Sequence, residues 1–112
     1  MARYFAHVGI EPKGDLSQTA LILGEALGGL EFVEDTQRRF DEFPAFIGQE
    51  NEAIYVLLGV PDPSEDLRDE PTTDFELQVI PGQHATGDSI DVSDQLIARI
   101  EADGRLRCWP LT

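Results

Sequence analysis

Between Ala53 and Leu58 the chain reads Ala-Ile-Tyr-Val-Leu-Leu, apolar at odd and even positions alike. Successive side chains of a strand point to opposite faces, so this run needs cover on both sides and belongs in the middle of a sheet. Extended to Val60, it is still far shorter than the roughly 20 residues that span a membrane. Two other segments alternate as half-buried strands do. Arg3 to Ile10 puts Tyr4, Ala6, Val8 and Ile10 on one face. Asp74 to Ile80 turns Phe75, Leu77 and Val79 inward and Glu76 and Gln78 outward.

Two segments carry the helical period. Leu16 to Leu27 buries Leu16, Ala20, Leu23 and Leu27, thickened by Leu21 or Ile22. Asp15 is its cap, Gln18 holds the capping-box position, and Gly28-Gly29 is the stop. A second helix starts at Ser93 as cap, with Val92 and Ile97 placed for a hydrophobic staple. Leu96, Ile97 and Ile100 form its buried face, and Gly104 ends it.

Leu30 to Val33 and Leu106 to Pro110 read as short extended pieces. Phe43 to Gly48 pairs with Ala53 to Val60 as a hairpin across Gln49-Glu50-Asn51-Glu52, with Pro44 favouring an edge strand or an irregular segment. Pro61 to Thr73 and Pro81 to Asp91 read as loops. The order β-α-β-β-β-β-α-β, with several short strand-to-strand links, predicts a single α+β domain over 1–112. Its sheet is largely antiparallel, with two helices packed on it. A shared face is one arrangement open to the helices.

Composition bears on function more than on fold. Acids outnumber bases 22 to 8, a formal net charge of -14 on 112 residues. Apolar residues nevertheless fall in periodic blocks, which argues against disorder. Cys108 is the only cysteine, so no internal disulfide can form. Arg3-Tyr4-Phe5-Ala6-His7-Val8-Gly9-Ile10 lacks the h-region and cleavage site of a signal peptide. The expectation is a cytoplasmic protein. The bases are seven Arg and one Lys, Lys13, a bias that a high-GC genome or a high-salt cytoplasm also produces.

No catalytic motif accompanies the charge, and the expectation is a protein that is not an enzyme. His7, His84 and Cys108 are the candidate nucleophile-and-base residues. Cys108 alternates with Arg107 and Trp109 as a small core residue does, and His7 lies on the strand face opposite Tyr4, Ala6 and Val8. His84 sits in a loop, where function concentrates, but has no visible partner. The carboxylates of Asp62 to Glu76 do not follow EF-hand spacing, and Asp88, Asp91 and Asp94 lack the turn glycine. No metal and no cofactor is expected. Gly24 to Gly29 ends a helix where a phosphate loop begins one. Direct nucleic-acid binding is disfavoured because it depends on neutralising phosphates with Lys and Arg.

The charge points instead to a basic partner. The densest acidic segment holds Asp62, Glu65, Asp66, Asp69, Glu70, Asp74 and Glu76 against Arg68 alone. It is long for a loop, and its prolines limit the entropy lost on binding. Asp88, Asp91 and Asp94 form a second group, although Asp94 also suits a helix N-terminus. Carboxylates facing Arg and Lys imitate phosphates and speed encounter.

In size, acidity, α+β pattern and its immediate strand opening Arg3-Tyr4-Phe5-Ala6-His7-Val8, the chain resembles the immunity proteins of bacterial toxin systems, including contact-dependent growth inhibition. The resemblance implies an antitoxin that binds and neutralises a cognate basic toxin domain, often a nuclease, as a monomer entering a heterodimeric complex. No binding residue can be transferred from the family. Two other readings share the charge: a nucleic-acid mimic that blocks a DNA-binding protein, and a small ligand-binding domain or enzyme from a high-salt organism. The first calls for carboxylates spaced over one long face, the second for a concave pocket with convergent polar groups.

Overall fold

The computed structural model describes residues 3–36, 44–50, 53–60, 74–81 and 87–111. β1 (Arg3–Ile10) leads into α1 (Leu16–Ala26), followed by β2 (Val33–Glu34), β3 (Ala45–Glu50), β4 (Ala53–Leu58) and β5 (Phe75–Pro81). β6 (Ser89–Asp91), α2 (Ser93–Asp103) and β7 (Cys108–Pro110) complete the order. Among the described residues, seven strands form one sheet in the order β2-β3-β4-β5-β1-β6, with β7 also paired to β1. The architecture is α+β, with two helices on a largely antiparallel sheet, as the sequence predicts.

The link between β3 and β4 is tighter than expected. Glu50 pairs with Ala53, so only positions 51–52 separate two strands that must therefore run antiparallel. β4 lies between β3 and β5, the interior position its doubly apolar sequence demands.

α1 begins where the sequence places it. The Asp15 carboxylate accepts from Gln18 N–H at 2.8 Å, and the Gln18 side chain accepts from Asp15 N–H at 2.9 Å. The two satisfy each other's orphan donors. Thr19, fully buried, donates its hydroxyl to the Asp15 carbonyl at 2.9 Å and accepts from Lys13 N–H at 3.0 Å. Gly28 and Gly29, at φ 82° and 95°, end the helix in a conformation that costs other residues a steric penalty.

Both helices pack on the same face of the sheet. Ala20, Leu23 and Leu27 of α1 and Leu96 and Ile100 of α2 share one core with Ala6, Val8, Ile10, Leu57, Leu77 and Val79. Fully burying one such aliphatic side chain contributes about 1.5–3 kcal/mol. Ile22 thickens the α1 stripe, whereas Leu21 is 67% exposed. Arg99 of α2 donates to the Leu27 carbonyl at 2.6 Å, joining the helices at the electron-rich end of α1.

Two local expectations are corrected. Residues 89–91 form a strand, not loop, and β6 runs parallel to β1. All three are exposed, so no alternation marks them. Ser93 is the first helical residue of α2, not its cap. The Ser93 N–H is held by the Asp91 carboxylate at 2.9 Å, while Ser93 Oγ turns inward to accept from His7 N–H at 3.1 Å. β6 pairs with Arg3–Phe5 and β7 with Val8–Ile10 on one edge of β1, so Ser93 plugs the gap between them. Val92 N–H to the Phe5 carbonyl and Leu111 N–H to the His7 carbonyl, both 2.9 Å, satisfy the rest of that edge. Among the described residues, no helix is long and apolar enough to cross a membrane.

Candidate functional site

The register sorts the candidate chemistry onto separate faces. Cys108 pairs with Ile10 and joins the helix-side core, whereas His7 pairs with Gln78 and lies on the opposite face. His7 Nε2 is hydrogen-bonded to Glu76, its diagonal neighbour on β5. Burial pushes the Cys108 thiol up to about 11, with the Glu101 charge adding to the shift. Its Sγ donates to the Ile97 carbonyl at 3.8 Å. A thiol held neutral and on the other side of the sheet from His7 is not a nucleophile activated by that imidazole. His84 lies outside the described residues.

The face away from the helices can be followed in three rows across the strands. Phe5, Ile80, Ile54 and Gln49 make the first; His7, Gln78, Val56, Ile47 and Val33 the second; Gly9, Glu76, Leu58 and Ala45 the third. Val56, Leu58 and Ala45 are buried on this side. Phe5, Ile80 and Val33 are exposed. Trp109 lies across Gly9, where any Cβ would collide with its indole.

The described members of the two acidic groups lie on opposite flanks of β1. Glu76 sits beside Gly9 near the end of β1, and half-buried Asp74 immediately precedes β5. Asp91 sits beside Phe5 near the start of β1, on its other flank, with exposed Asp88 just before β6. Gly9 and Phe5 are four residues apart, roughly 13 Å at about 3.3 Å per residue. Glu76 is engaged by His7, and Asp91 is committed to the start of α2. The Ser93 hydroxyl and N–H hold the Asp91 carboxyl below the usual carboxylate range. Asp62, Glu65, Asp66, Asp69 and Glu70 lie outside the described residues.

Sequence reasoning missed the exposed aromatic side chains at the start of β1. Tyr4 has the parity of Ala6 and Val8 but is 47% exposed, because helical cover does not reach it. Tyr4 pairs with Ile90 of β6 on that face, while Phe5 stands beside Ile80 on the other, one step beyond the Ala6–Val79 pair. Tyr4, Phe5, Ile80 and Ile90 are four of the six large hydrophobic side chains left exposed among the described residues. The signal was present: Tyr4-Phe5 is apolar at adjacent positions, and a strand with one covered face buries only one of them.

The other recesses are modest. A cavity of about 500 Å³ at the β2–β3 edge is lined by Glu31, Glu34, Asp35, Val33, Ile47 and neighbours. A groove of about 440 Å³ between α1 and the segment leading to β2 has a mainly apolar lining that includes Leu21, Leu30, Phe32 and Phe46. A third, about 410 Å³, lies between β6 and β7 against Asp91, Ser93, Asp94, Pro110 and Leu111. Among the described residues, no group of three or more His, Cys, Asp and Glu side chains is placed to hold a metal ion.

No protein-family model, curated protein or solved structure matches this chain.

Proposed function

We propose that this chain is a cytoplasmic immunity protein, a non-enzymatic antitoxin that binds and neutralises a basic bacterial toxin domain, a nuclease. The observation that carries this reading is the charge of -14 on 112 residues. The described arginines of α2 and the segment after it are engaged within the chain. Arg105 is engaged by Asp103 and Glu25 at 2.6 and 2.8 Å, and Arg99 by the Leu27 carbonyl, with Glu50 at 3.7 Å. These pairs lie at the surface, and pairing leaves the net acidic excess of -14 unchanged. Such an excess accelerates encounter with a basic surface and repels phosphate. A nucleic-acid mimic fits less well, because among the described residues the rows of the face away from the helices carry Phe, Ile and Val where carboxylates would be ranked.

The test is recovery of the partner. Protein purified from its native host should carry a basic protein identifiable by mass spectrometry, and coexpression should relieve that protein's toxicity. Association of the purified pair should be fast at low salt and slow as salt rises. Neutralising Glu65, Asp66, Asp69 and Glu70 together should lower the on-rate and flatten that dependence if the segment Asp62 to Glu76 forms the rim. A carboxylate buried against a partner Arg or Lys should instead speed dissociation when lost, at a cost of about 2–5 kcal/mol. Recovery of no basic partner, or a turnover activity lost with Cys108→Ala, His7→Ala or His84→Ala in folded protein, overturns the reading.

A further inference from the structure

The start of β1 is the one place among the described residues where exposed aromatic side chains and an acidic margin coincide. Phe5 and Ile80 form an apolar pair on the open face, and Tyr4 and Ile90 form another around the β6 edge. Asp88, Asp91 and Asp94 follow the same edge, and all three are exposed. Beside them is the cavity of about 410 Å³ between β6 and β7, walled by Asp91, Asp94 and Leu111.

We propose that this corner is the docking surface for the basic protein partner, with Phe5 and Ile80 as its apolar anchors and Asp88 and Asp94 as its charged rim. The proposal rests on the binding function argued above and names the surface that performs it. Interfaces place desolvated aromatic anchors at their centre and polar groups at their rim, and the anchors carry most of the affinity. Charge decides between occupants. A second copy of the chain would set one aspartate margin against another, in a molecule already at -14. A surface rich in Arg and Lys meets the same margin with opposite sign. The cavity offers room for a cationic side chain between two carboxylates, with the methylene stem against Leu111. Leu21, more exposed than any of the four corner side chains, lies on α1 within a different groove and serves as the control.

The test uses the full chain and the basic protein identified by mass spectrometry in copurified material, then purified separately. Phe5→Ser with Ile80→Ser should weaken binding by roughly tenfold or more, mainly through faster dissociation. Asp88→Asn with Asp94→Asn should slow association several-fold and reduce its salt dependence, with a smaller change in dissociation. Leu21→Ser should change neither rate. Circular dichroism and thermal melting establish that each variant is folded, and Phe5→Leu, which keeps the apolar surface, should retain most of the affinity. If the folded Phe5/Ile80 variant binds within twofold of the parent, the surface is wrong although the binding function stands. If the parent dimerises in sedimentation and that variant dissociates the dimer, the corner is a self-interface and the proposal falls. If no basic protein binds the parent, function and surface fall together.

Discussion

The two faces of one sheet follow different rules in this protein. On the helix side, Val8, Ile10, Leu23, Leu57, Leu77 and Ile100 are buried to within about a percent of complete exclusion. On the other side, half-buried Ile54 is followed along β4 by buried Val56 and Leu58, while His7, Glu76 and Gln78 form a polar centre. Phe5 and Ile80 remain exposed at one margin. The helix side is a packing surface whose composition is set by exclusion of water. The other side combines a small buried apolar cluster, Ala45, Val56 and Leu58, with polar and apolar groups at partial exposure.

Substitutions along β4 test this contrast most strongly, because neighbouring residues report on opposite faces. Leu57→Ala removes a fully buried side chain from between the helices and the sheet and should cost about 2–5 kcal/mol in urea unfolding. Ile54→Ala removes a half-buried side chain from the open face and should cost clearly less. Equal losses would mean that the open face is as tightly packed as the core, and the distinction between the faces would fail.

Gly9 sharpens the contrast on the open side. It pairs with Trp109, and the missing Cβ lets the indole lie over the strand. Aromatic cover of a strand glycine compensates for the contacts a glycine cannot make. Gly9→Ala gains about 0.5–1 kcal/mol of backbone entropy but forces the indole to move, and such overpacking costs about 1–3 kcal/mol. The expected outcome is a net loss of roughly 1 kcal/mol. A red-shifted emission should accompany it from the chain's single tryptophan as the ring moves into water. Unchanged emission would show that the indole does not rest on Gly9.

How legible each region was follows from the range of the interactions that define it. The α1 cap was readable because Asp15 and Gln18 satisfy each other within four residues. The alternation of β5 was readable because burial on one face leaves a period of two. β6 was not, because three exposed edge residues carry no period. The parity of Tyr4 was readable, but its exposure depends on where helices from distant sequence stop covering the sheet. The separation of Glu76 from Asp91 depends on which strands flank β1, information that no local pattern holds. Likewise the inward turn of Ser93 answers an unpaired N–H on His7, 86 residues away.

Cys108 gives the smallest effect and the cleanest report on the helix side. Burial and the nearby Glu101 charge raise its thiol from 9.0 to about 11 in the folded state. The unfolded chain therefore releases this proton at lower pH than the folded one. Between those two values the folded state binds more protons, and stability falls as pH rises. The contribution is fully present below pH 9.0 and declines through the window up to about 11. Urea midpoints measured from pH 8 to 10.5 should fall more steeply for the parent than for Cys108→Ala, which has no thiol to ionise. The same burial should keep native Cys108 slow towards a disulfide-exchange reagent at pH 8, with rapid reaction in urea. Fast native labelling would mean that the β7 end of the helix-side core opens readily. The closed face would then be less closed at its margin than at Leu57, and Cys108 would belong with the exposed residues on the other side of the comparison.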